Sequence, residues 1–460
     1  MFFLTVGKEI VHNILSFRFV VTYALLFCLI LMAMFLMTND YQRRLQEYAT
    51  ADSKVRESLT ELVKIEDPNE QFQRIQQTDF SALRQPSPLS LLALGLEGSL
   101  PTQVSSQSRF FVSSSGDRLG KNVLFDIFQT PDFVYVVNVV MSLLALLFVF
   151  DSVCGEKEQG TLKLLLSNSV PRDSVLLGKW VGGFFSVAAP FTVAVFGGFT
   201  YIYVSGAMEM QGEDMARFGL IFLLSLLYIS TFFTLGLMIS TLTHRSSTAL
   251  LVSLLVWICW ILVVPNLAPI AARLAAPVPG RQVIEAEKQA IDRESQLLMA
   301  GIGKRKVYGD QQESERIQKD GEKKKRKLEE FYQDKMSRQI AYSKNLARLS
   351  PSASYLFAAT RLAGTGPNLF DYFQKALERF HQGHEEFRQS MWSMREWSES
   401  GPQIKDPDWF DPENLPRFDM FAESLTDSFD AALFDILLLA VFNVLFFMLS
   451  YTIFLRYDVT

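Results

Sequence analysis

Six long apolar blocks, which carry almost no charge, constrain this chain more than any other feature of its sequence. A helix that crosses the hydrocarbon core of a bilayer needs roughly 20 apolar residues, and each block is about that long or longer. None of the blocks alternates apolar and polar residues as the strands of membrane barrels do. The sequence therefore predicts an all-α, polytopic membrane protein with six transmembrane helices. The blocks are Phe19–Met37, Phe133–Phe150, Val175–Val204, Phe218–Leu242, Thr248–Val264 and Ala431–Leu455.

The composition argues against several other classes of protein. The chain is 49% hydrophobic and 20% charged, and nearly all of its charges fall between the blocks, unlike the mixed pattern of a soluble enzyme. Lys and Arg do not outnumber Asp and Glu, so no nucleic-acid partner is predicted. The cysteines Cys28, Cys154 and Cys259 lie in or beside apolar blocks, which argues against a disulfide-stapled exterior. No metal site is predicted, since a solvated helix face is the favoured interpretation of the neighbouring His381 and His384.

The short segments between the blocks predict the orientation in the membrane. If the N-terminus lies in the cytoplasm, the short inner segments carry Lys and Arg, and the one short outer loop is mainly acidic. This agrees with the positive-inside bias of membrane proteins. We therefore expect both termini in the cytoplasm and both long loops outside. The predicted parts are 1–37 (N-terminus and first span), 38–132 (first outer loop), 133–264 (spans two to five, with an inner helix over 155–170), 265–430 (second outer loop) and 431–460 (sixth span and C-terminus).

The two long loops are predicted to build a largely helical extracytoplasmic domain. Apolar residues at helical spacing continue from the first span over 40–77 and recur over 368–397, and a short strand is expected at 109–113. The segment 402–416 contains Trp409 and is predicted to be a linker near the membrane surface, where Trp is favoured. The highly charged stretch 281–348 is rich in helix-forming residues. Four glycines are expected to interrupt its helices: Gly301, Gly303, Gly309 and Gly321.

The sequence contains no recognisable catalytic or nucleotide-binding motif. A phosphate-binding loop of the form G-x-x-x-x-G-K-[ST] is absent, and so are the motifs of serine hydrolases and zinc proteases. Asp435 is the only acidic residue near the core of a predicted span. Acidic residues inside a membrane are functional candidates. Because Asp435 lies close to the outer end of its span, a hydrated, structural role is equally open.

The most informative stretch lies between the second and third blocks. We expect a short amphipathic helix at the inner membrane surface, with Leu162, Leu165 and Leu166 on its apolar side and Pro171 at its end. The alternative is a plain hairpin helix between two spans. The residues that stand out are Glu156, Lys157, Glu158, Gly160, Thr161, Leu162 and Leu165, followed by Pro171-Arg172 and Gly178-Lys179.

This pattern resembles the membrane subunits of ABC exporters of the ABC-2 (type-2 permease) superfamily. The segments Leu349–Pro351 and Leu362–Thr365 are similar to a bacterial branch of that superfamily with enlarged outer loops. The resemblance implies a permease subunit in the bacterial inner membrane that hydrolyses no ATP itself. It also implies a separate ATPase subunit that binds ATP and Mg, and a second permease subunit in a homodimer or heterodimer.

The resemblance further implies which residues couple the chain to the ATPase subunit. No cofactor would bind the chain directly, and membrane lipids and an extracytoplasmic protein are further expected partners. The substrate stays open: a lipid, a lipid-linked molecule, a peptide, or mechanical work on an outer partner. A membrane-anchored scaffold or receptor and a membrane-embedded enzyme remain alternative interpretations. The implied coupling residues are Glu156, Lys157, Glu158, Gly160, Thr161, Leu162, Leu165 and Pro171.

Overall fold

The protein is almost entirely helical. Its structure, a computed structural model, describes residues 2–105, 132–167, 171–206, 212–303, 310–398, 401–404, 406, 409–420 and 423–457. Of the described residues, 82% are helical, which confirms the prediction of an all-α, multi-pass membrane protein. The described residues include six helices that are long and apolar enough to cross a membrane: Phe19–Val63, Phe133–Glu158, Arg172–Val204, Gly212–Leu242, Ser246–Ala275 and Leu425–Leu455.

The secondary structure follows the apolar blocks and extends well beyond the first of them. The first span continues without a break far past its apolar block, as the sequence predicted, and a second helix follows after a short turn. The helices are α1 Phe2–Ile14, α2 Phe17–Val63, α3 Pro68–Gln77, α4 Phe133–Tyr135, α5 Ser142–Val149, α6 Cys154–Glu158, α7 Thr161–Ser167, α8 Arg172–Val204, α9 Gly212–Leu242, α10 Ser246–Ile258, α11 Val264–Ala275, α12 Arg281–Gly303, α13 Asp310–Ala347, α14 Pro351–Leu362, α15 Asn368–Ser393 and α16 Leu425–Leu455.

Short irregular elements complete the fold. Two π-helical segments, Val136–Met141 and Cys259–Val263, join α4 to α5 and α10 to α11. In the described parts of the long loops, three 3-10 turns occur, at Pro88–Leu91, Glu97–Ser99 and Pro412–Asn414. The described residues also form two antiparallel strand pairs: β1 Ser81–Leu83 with β2 Gln103–Ser105, and β3 Glu396–Ser398 with β4 Gly401–Gln403.

The chain divides into two compact units. The membrane unit comprises Met1–Leu255 and Ser354–Thr460, and the hairpin unit comprises Val256–Ala353. In the hairpin unit α12 packs antiparallel to α13. Two ion pairs join the helices, Lys288 to Glu329 and Lys324 to Glu294. Helix α13 also packs along α11.

The glycines of the charged stretch do not act as the sequence predicted. Gly301 lies inside α12 and Gly321 lies inside α13, so the predicted interruptions at these two positions are wrong. A Cβ atom at Gly321 would lie 2.7 Å from Ser295 Oγ of α12. Glycine therefore lets the two helices approach closely. Gly303 is the last residue of α12, and Gly309 lies outside the described residues.

Helix α9 is the centre of the membrane unit. In the most apolar 18-residue stretch of α9, 72% of the residues are buried. The corresponding share is 22% in both α2 and α16. The buried face of α9 carries hydroxyl groups that bond to other helices. Ser225 Oγ lies 2.9 Å from Tyr355 Oη of α14, and Tyr228 Oη donates to Asn138 Oδ1 at 2.8 Å. Such hydrogen bonds help to join helices in lipid, where the hydrophobic effect does not.

Within the membrane unit, an apolar core joins the first long loop to the second. Leu62 and Phe72 of the first loop pack together with Phe410 of the second, and Trp409 packs against them. Leu62 lies roughly 37 Å beyond Met37 along α2. Trp409 is thus half-buried against a protein core, and its place near the membrane surface stays a prediction.

A neighbouring core changes the interpretation of the two histidines. His384 stacks on Phe80 at 5.3 Å and meets Phe380 edge-on at 4.5 Å. Only 3% of its surface is exposed, so a solvated helix face is wrong for this residue. Burial lowers the pKa of His384 to about 4, and the side chain is neutral at pH 7. The helix that carries it ends at Ser393, and the strand predicted at 109–113 lies outside the described residues.

Candidate functional site

Elements that are far apart in the sequence meet at one end of the membrane unit. They are α1, the α6–α7 segment with the turn before it, the first turns of α8, the turn between α9 and α10, and the residues after α16. Arg172 Nη1 donates to the carbonyl oxygens of Leu455 at 2.7 Å and Tyr457 at 3.0 Å, which joins the start of α8 to the end of α16. We call this region the terminal junction.

The sequence motif Glu156–Leu165 lies in the terminal junction as two short helices. The single helix predicted over 155–170 is divided, because Gly160 has a φ of +73° and the chain turns there between α6 and α7. Glycine adopts this left-handed conformation at no steric cost and commonly ends helices. Pro171 lies directly before α8, so it marks the start of the third span, and 168–170 lie outside the described residues.

Glu156 points into the protein and meets a buried lysine. Lys179 of α8 donates from Nζ to Glu156 Oε1 at 2.8 Å, to Glu9 Oε1 of α1 at 3.0 Å and to the carbonyl oxygen of Ser152 at 2.9 Å. Lys179 is only 4% exposed. A buried ammonium group is tolerated when it is paired and fully hydrogen-bonded. One side chain thus joins α1, α6, α8 and the turn after α5.

The other two charged residues of α6 bind the turn between α9 and α10. Lys157 Nζ donates to the carbonyl oxygens of Thr241 and Thr243 and lies 5.1 Å from the ring centre of Tyr457. Glu158 Oε2 accepts from the backbone N–H of Ser246, the first residue of α10, at 2.9 Å. Carboxylates are favoured at the N-terminus of a helix. These contacts fix α6 to the ends of the fourth and fifth spans.

A backbone contact strengthens the same connection. The N–H groups of Val153 and Cys154 both donate to Ser240 Oγ of α9, at 3.0 and 3.1 Å. The hydroxyl therefore satisfies two donors at the start of α6, where the helix itself offers no partner. Helix α6 is held to the bundle by its backbone as well as by its side chains.

The second half of the motif is different, because most of it faces outward. Gly160, Thr161 and Lys163 are exposed, and Leu164 is 69% exposed. Leu162 is completely buried, which agrees with its predicted place on the apolar side. Leu165 is half-buried, and the side chain of Leu166 lies outside what the structure describes. Of the predicted coupling residues, those of α6 are bonded to the bundle, Gly160 and Thr161 are exposed, and Leu162 and Leu165 are wholly or partly covered.

A wide cleft of about 1130 Å³ opens beside the terminal junction. Its walls come from α1, α2, the end of the second span and the α6–α7 segment, and include Lys8, His12, Glu156, Thr161 and Leu164. Within the described ranges, no group of three or more His, Cys, Asp or Glu side chains is arranged to hold a metal ion. Ion pairs and hydrogen bonds between helices hold the terminal junction together.

Comparison with known proteins identifies the family. Residues 5–459 match the family described as ABC-2 family transporter protein, which is nearly the whole chain. The chain belongs to the ABC-2 transporter family. It is also similar to the probable ABC transporter permease protein NosY of Stutzerimonas stutzeri, with 33% identity over 128 residues. That similarity covers 27% of this chain, and the chain spans 45% of the relative's length.

Asp435 of this ABC-2 permease lies far from the motif residues. It is completely buried in α16, roughly 30 Å along that helix from Leu455 in the terminal junction. One turn before it, the carbonyl oxygen of Ala431 accepts from Arg361 Nη1. The structure thus brings Glu156, Lys157, Glu158 and the α7 residues together in one region and leaves Asp435 outside it.

Sequence reasoning overlooked three residues of the terminal junction. Lys179 was noticed only as part of the motif, and Glu9 and Ser240 were not singled out. A signal did exist for Lys179, because it is the only basic residue within the six apolar blocks. An ionisable residue inside a predicted span is a candidate for a functional role, with a partner to be found. The partner Glu9 lies 170 positions earlier in the chain, and no local pattern connects the two.

Proposed function

We propose that this permease subunit couples ATP hydrolysis by a separate ATPase subunit to export, or to mechanical work on an extracytoplasmic partner. Two permease subunits pair, and each docks one ATPase subunit at the terminal junction. The terminal junction then lies in the cytoplasm, with both termini, and the long loops lie on the outer side of the bacterial inner membrane. The basic residues of the short segments support this orientation, and they include Lys8, Lys157, Lys163, Arg172 and Arg245.

The observation that carries the proposal is the division of the motif into exposed and anchored halves. A coupling element needs a surface that a partner can contact, and Thr161, Lys163 and Leu164 offer one. Burial of the exposed Leu164 side chain against a partner would stabilise a complex. ABC-2 membership supports an ABC ATPase as the partner class.

The anchored half supplies the second requirement, a connection to the spans. Lys157 and Glu158 join α6 to the turn between α9 and α10, and Glu156 joins it through Lys179 to α8 and α1. A displacement of α7 by the ATPase subunit therefore acts on the third, fourth and fifth spans. The energy for this displacement comes from ATP bound to the partner, and this chain contributes the mechanical connection.

The test is to purify the tagged chain from its native membranes and to measure Mg-ATP hydrolysis in the eluate. We expect vanadate-sensitive ATPase activity with the wild type and its loss with Leu164→Asp, because a buried unpaired carboxylate opposes association. Leu297→Asp is the matched control, since Leu297 of α12 is similarly exposed, at 74%, but lies in the hairpin unit. It should retain the activity.

Two results would contradict the proposal. One is ATPase activity that Leu164→Asp leaves at the level of the control, which would move the docking surface elsewhere. The other is the absence of ATPase activity in every eluate although the permease itself is intact. The second result would favour the membrane-anchored scaffold or receptor, which depends on no ATPase.

A further inference from the structure

Lys179 occupies an unusual position for a lysine. It lies within an apolar block that is long enough to cross the membrane, yet its ammonium group is surrounded by protein rather than by water or lipid. An ammonium group carries three hydrogens, and three acceptors lie within 3.0 Å: Glu9 Oε1, Glu156 Oε1 and the carbonyl oxygen of Ser152. Every donor of the group is therefore satisfied inside the protein.

The three acceptors come from three separate elements. Glu9 belongs to α1, Glu156 belongs to α6, and Ser152 lies in the turn that leads into α6. The Lys179 ammonium group lies between two carboxylates, and both of them attract it. Coulomb attraction is strengthened where water is excluded, and only small parts of the Glu9 and Glu156 side chains are exposed, 12% and 20%.

Two glycines on α8 position α1 for this contact. A Cβ atom at Gly178 would lie 2.9 Å from Thr5 Cγ2, and one at Gly182 would lie 2.8 Å from Glu9 Cβ and 2.9 Å from the carbonyl oxygen of Val6. Any other residue at Gly182 would force α1 away from α8, because its backbone is part of the contact. The close approach brings the Glu9 carboxylate within reach of Lys179.

We propose that Lys179 is a positioning residue that makes α1, α6 and the third span move as one body. This inference rests on the proposed function, in which an ATPase subunit displaces the α6–α7 segment. Without the ammonium group, two carboxylates would face each other, and α1 and α6 would separate. The displacement of α7 would then no longer reach α1 or α8.

The proposal also assigns Glu156 a role different from direct contact with the ATPase subunit. Its carboxylate is bound by Lys179, and only 20% of its side chain is exposed. A variant at Glu156 should disturb the transmission of movement but leave docking intact. Leu164 variants should do the reverse, since Leu164 contributes to the exposed surface and lies outside the ion cluster.

The experiment measures the distance between α1 and α7 in the permease alone, so that it does not depend on any ATPase subunit. Spin labels are attached to cysteines introduced at Val11 and Lys163, both exposed, in a background in which the native cysteines are replaced by serine. Pulsed electron paramagnetic resonance then gives the distance distribution. We expect one narrow distance in the parent protein and its loss in Lys179→Met. Lys8→Met, which removes a nearby exposed charge, is the control and should keep the narrow distance.

A charge exchange separates the role of charge from that of packing. The double variant Lys179→Glu with Glu156→Lys again has one ammonium group between two carboxylates and should regain the narrow distance. A narrow distance in Lys179→Met would overturn the proposal, and so would a broad distance in both Lys179→Met and the double variant. If Lys179→Met cannot be purified, Glu9→Leu replaces it, because it removes the acceptor on α1, and an unchanged narrow distance there would also overturn the proposal.

Docking is measured separately as ATPase activity retained with the unlabelled permease. Lys179→Met should retain the ATPase subunit, because the exposed residues of α7 are unchanged. Absence of ATPase activity with the wild type would contradict the proposed function alone. The distance measurements would still decide whether Lys179 holds the helices together.

Discussion

The terminal junction and the hairpin unit each contain a Lys–Glu ion pair, but the first pair is buried and the second is exposed. In the terminal junction Lys179 lies 2.8 Å from Glu156, and only 2% of the lysine side chain is exposed. In the hairpin unit Lys324 lies 3.3 Å from Glu294, and both side chains are about half exposed, at 48% and 56%. The distances are similar, but water screens the second pair and not the first. Burial, rather than distance, decides which pair the structure depends on.

The largest effect is expected for Lys179→Met. Removing one partner from a buried ion pair typically costs about 3–5 kcal/mol, because it leaves an uncompensated buried charge. Two carboxylates would remain here. Thermal unfolding in detergent or nanodiscs should show a large drop in stability relative to the wild type. A loss of less than about 1 kcal/mol in the free energy of unfolding is what an exposed pair would give, and it would contradict this prediction.

The next largest loss of stability is expected for Gly95→Ala, which is compared with Gly160→Ala because both glycines have a positive φ. Gly95 has a φ of +49°, and a Cβ atom there would lie 2.3 Å from the carbonyl oxygen of Thr365. Gly160 has a φ of +73° and no neighbour within 4 Å of that position. Both alanine variants cost roughly 1–2 kcal/mol for the left-handed backbone, and Gly95→Ala adds a clash. Gly95→Ala should therefore unfold at the lower temperature, and equal losses would contradict this.

A pH-dependent effect of intermediate size is expected from His384. Its pKa is about 4 in the folded protein and near 6.5 when exposed, so the unfolded chain binds more protons between these values. Stability is therefore fully present above pH 6.5 and falls as the pH drops, by about 2 kcal/mol at pH 5. His384→Phe should lose less stability between pH 7 and pH 5 than the wild type. Identical pH profiles would show that His384 does not titrate in this way.

The smallest effect is expected for Lys324→Met in the hairpin unit. The lost attraction to Glu294 is that of an exposed pair, which is worth at most about 1 kcal/mol. Added salt should weaken the pair further, so the difference from the wild type should shrink in 1 M NaCl. A destabilisation as large as that of Lys179→Met would mean that exposure does not distinguish the two regions.

The sequence predicted those features that depend on local patterns. Apolar blocks predicted the six spans, and the helical spacing after the first block predicted the extension of α2 to Val63 but not the turn that separates it from α3. The motif between the second and third blocks directed attention to α6 and α7. Each of these depends on residues within a few turns of one another, so periodicity and residue type were sufficient.

The features that were missed depend on contacts between distant residues. The cluster at Lys179 joins positions 9, 156 and 179, and Trp409 packs against a core that includes Phe72. His384 is buried because Phe80 stacks on it. The break at Gly160 was missed for another reason: the flanking residues favour helix, although glycine itself commonly ends helices by adopting a left-handed conformation.

The central claim is that the exposed part of the motif docks an ATPase subunit, and site-specific photo-cross-linking tests it most directly. The photoreactive amino acid p-benzoylphenylalanine replaces Leu164 in one protein and Leu297 in another, and native membranes are irradiated. The account predicts a cross-link from position 164 to a protein that binds ATP, and none to that protein from position 297. A cross-link to the ATPase subunit from position 297 alone, or from neither position in membranes with intact complex, would contradict it.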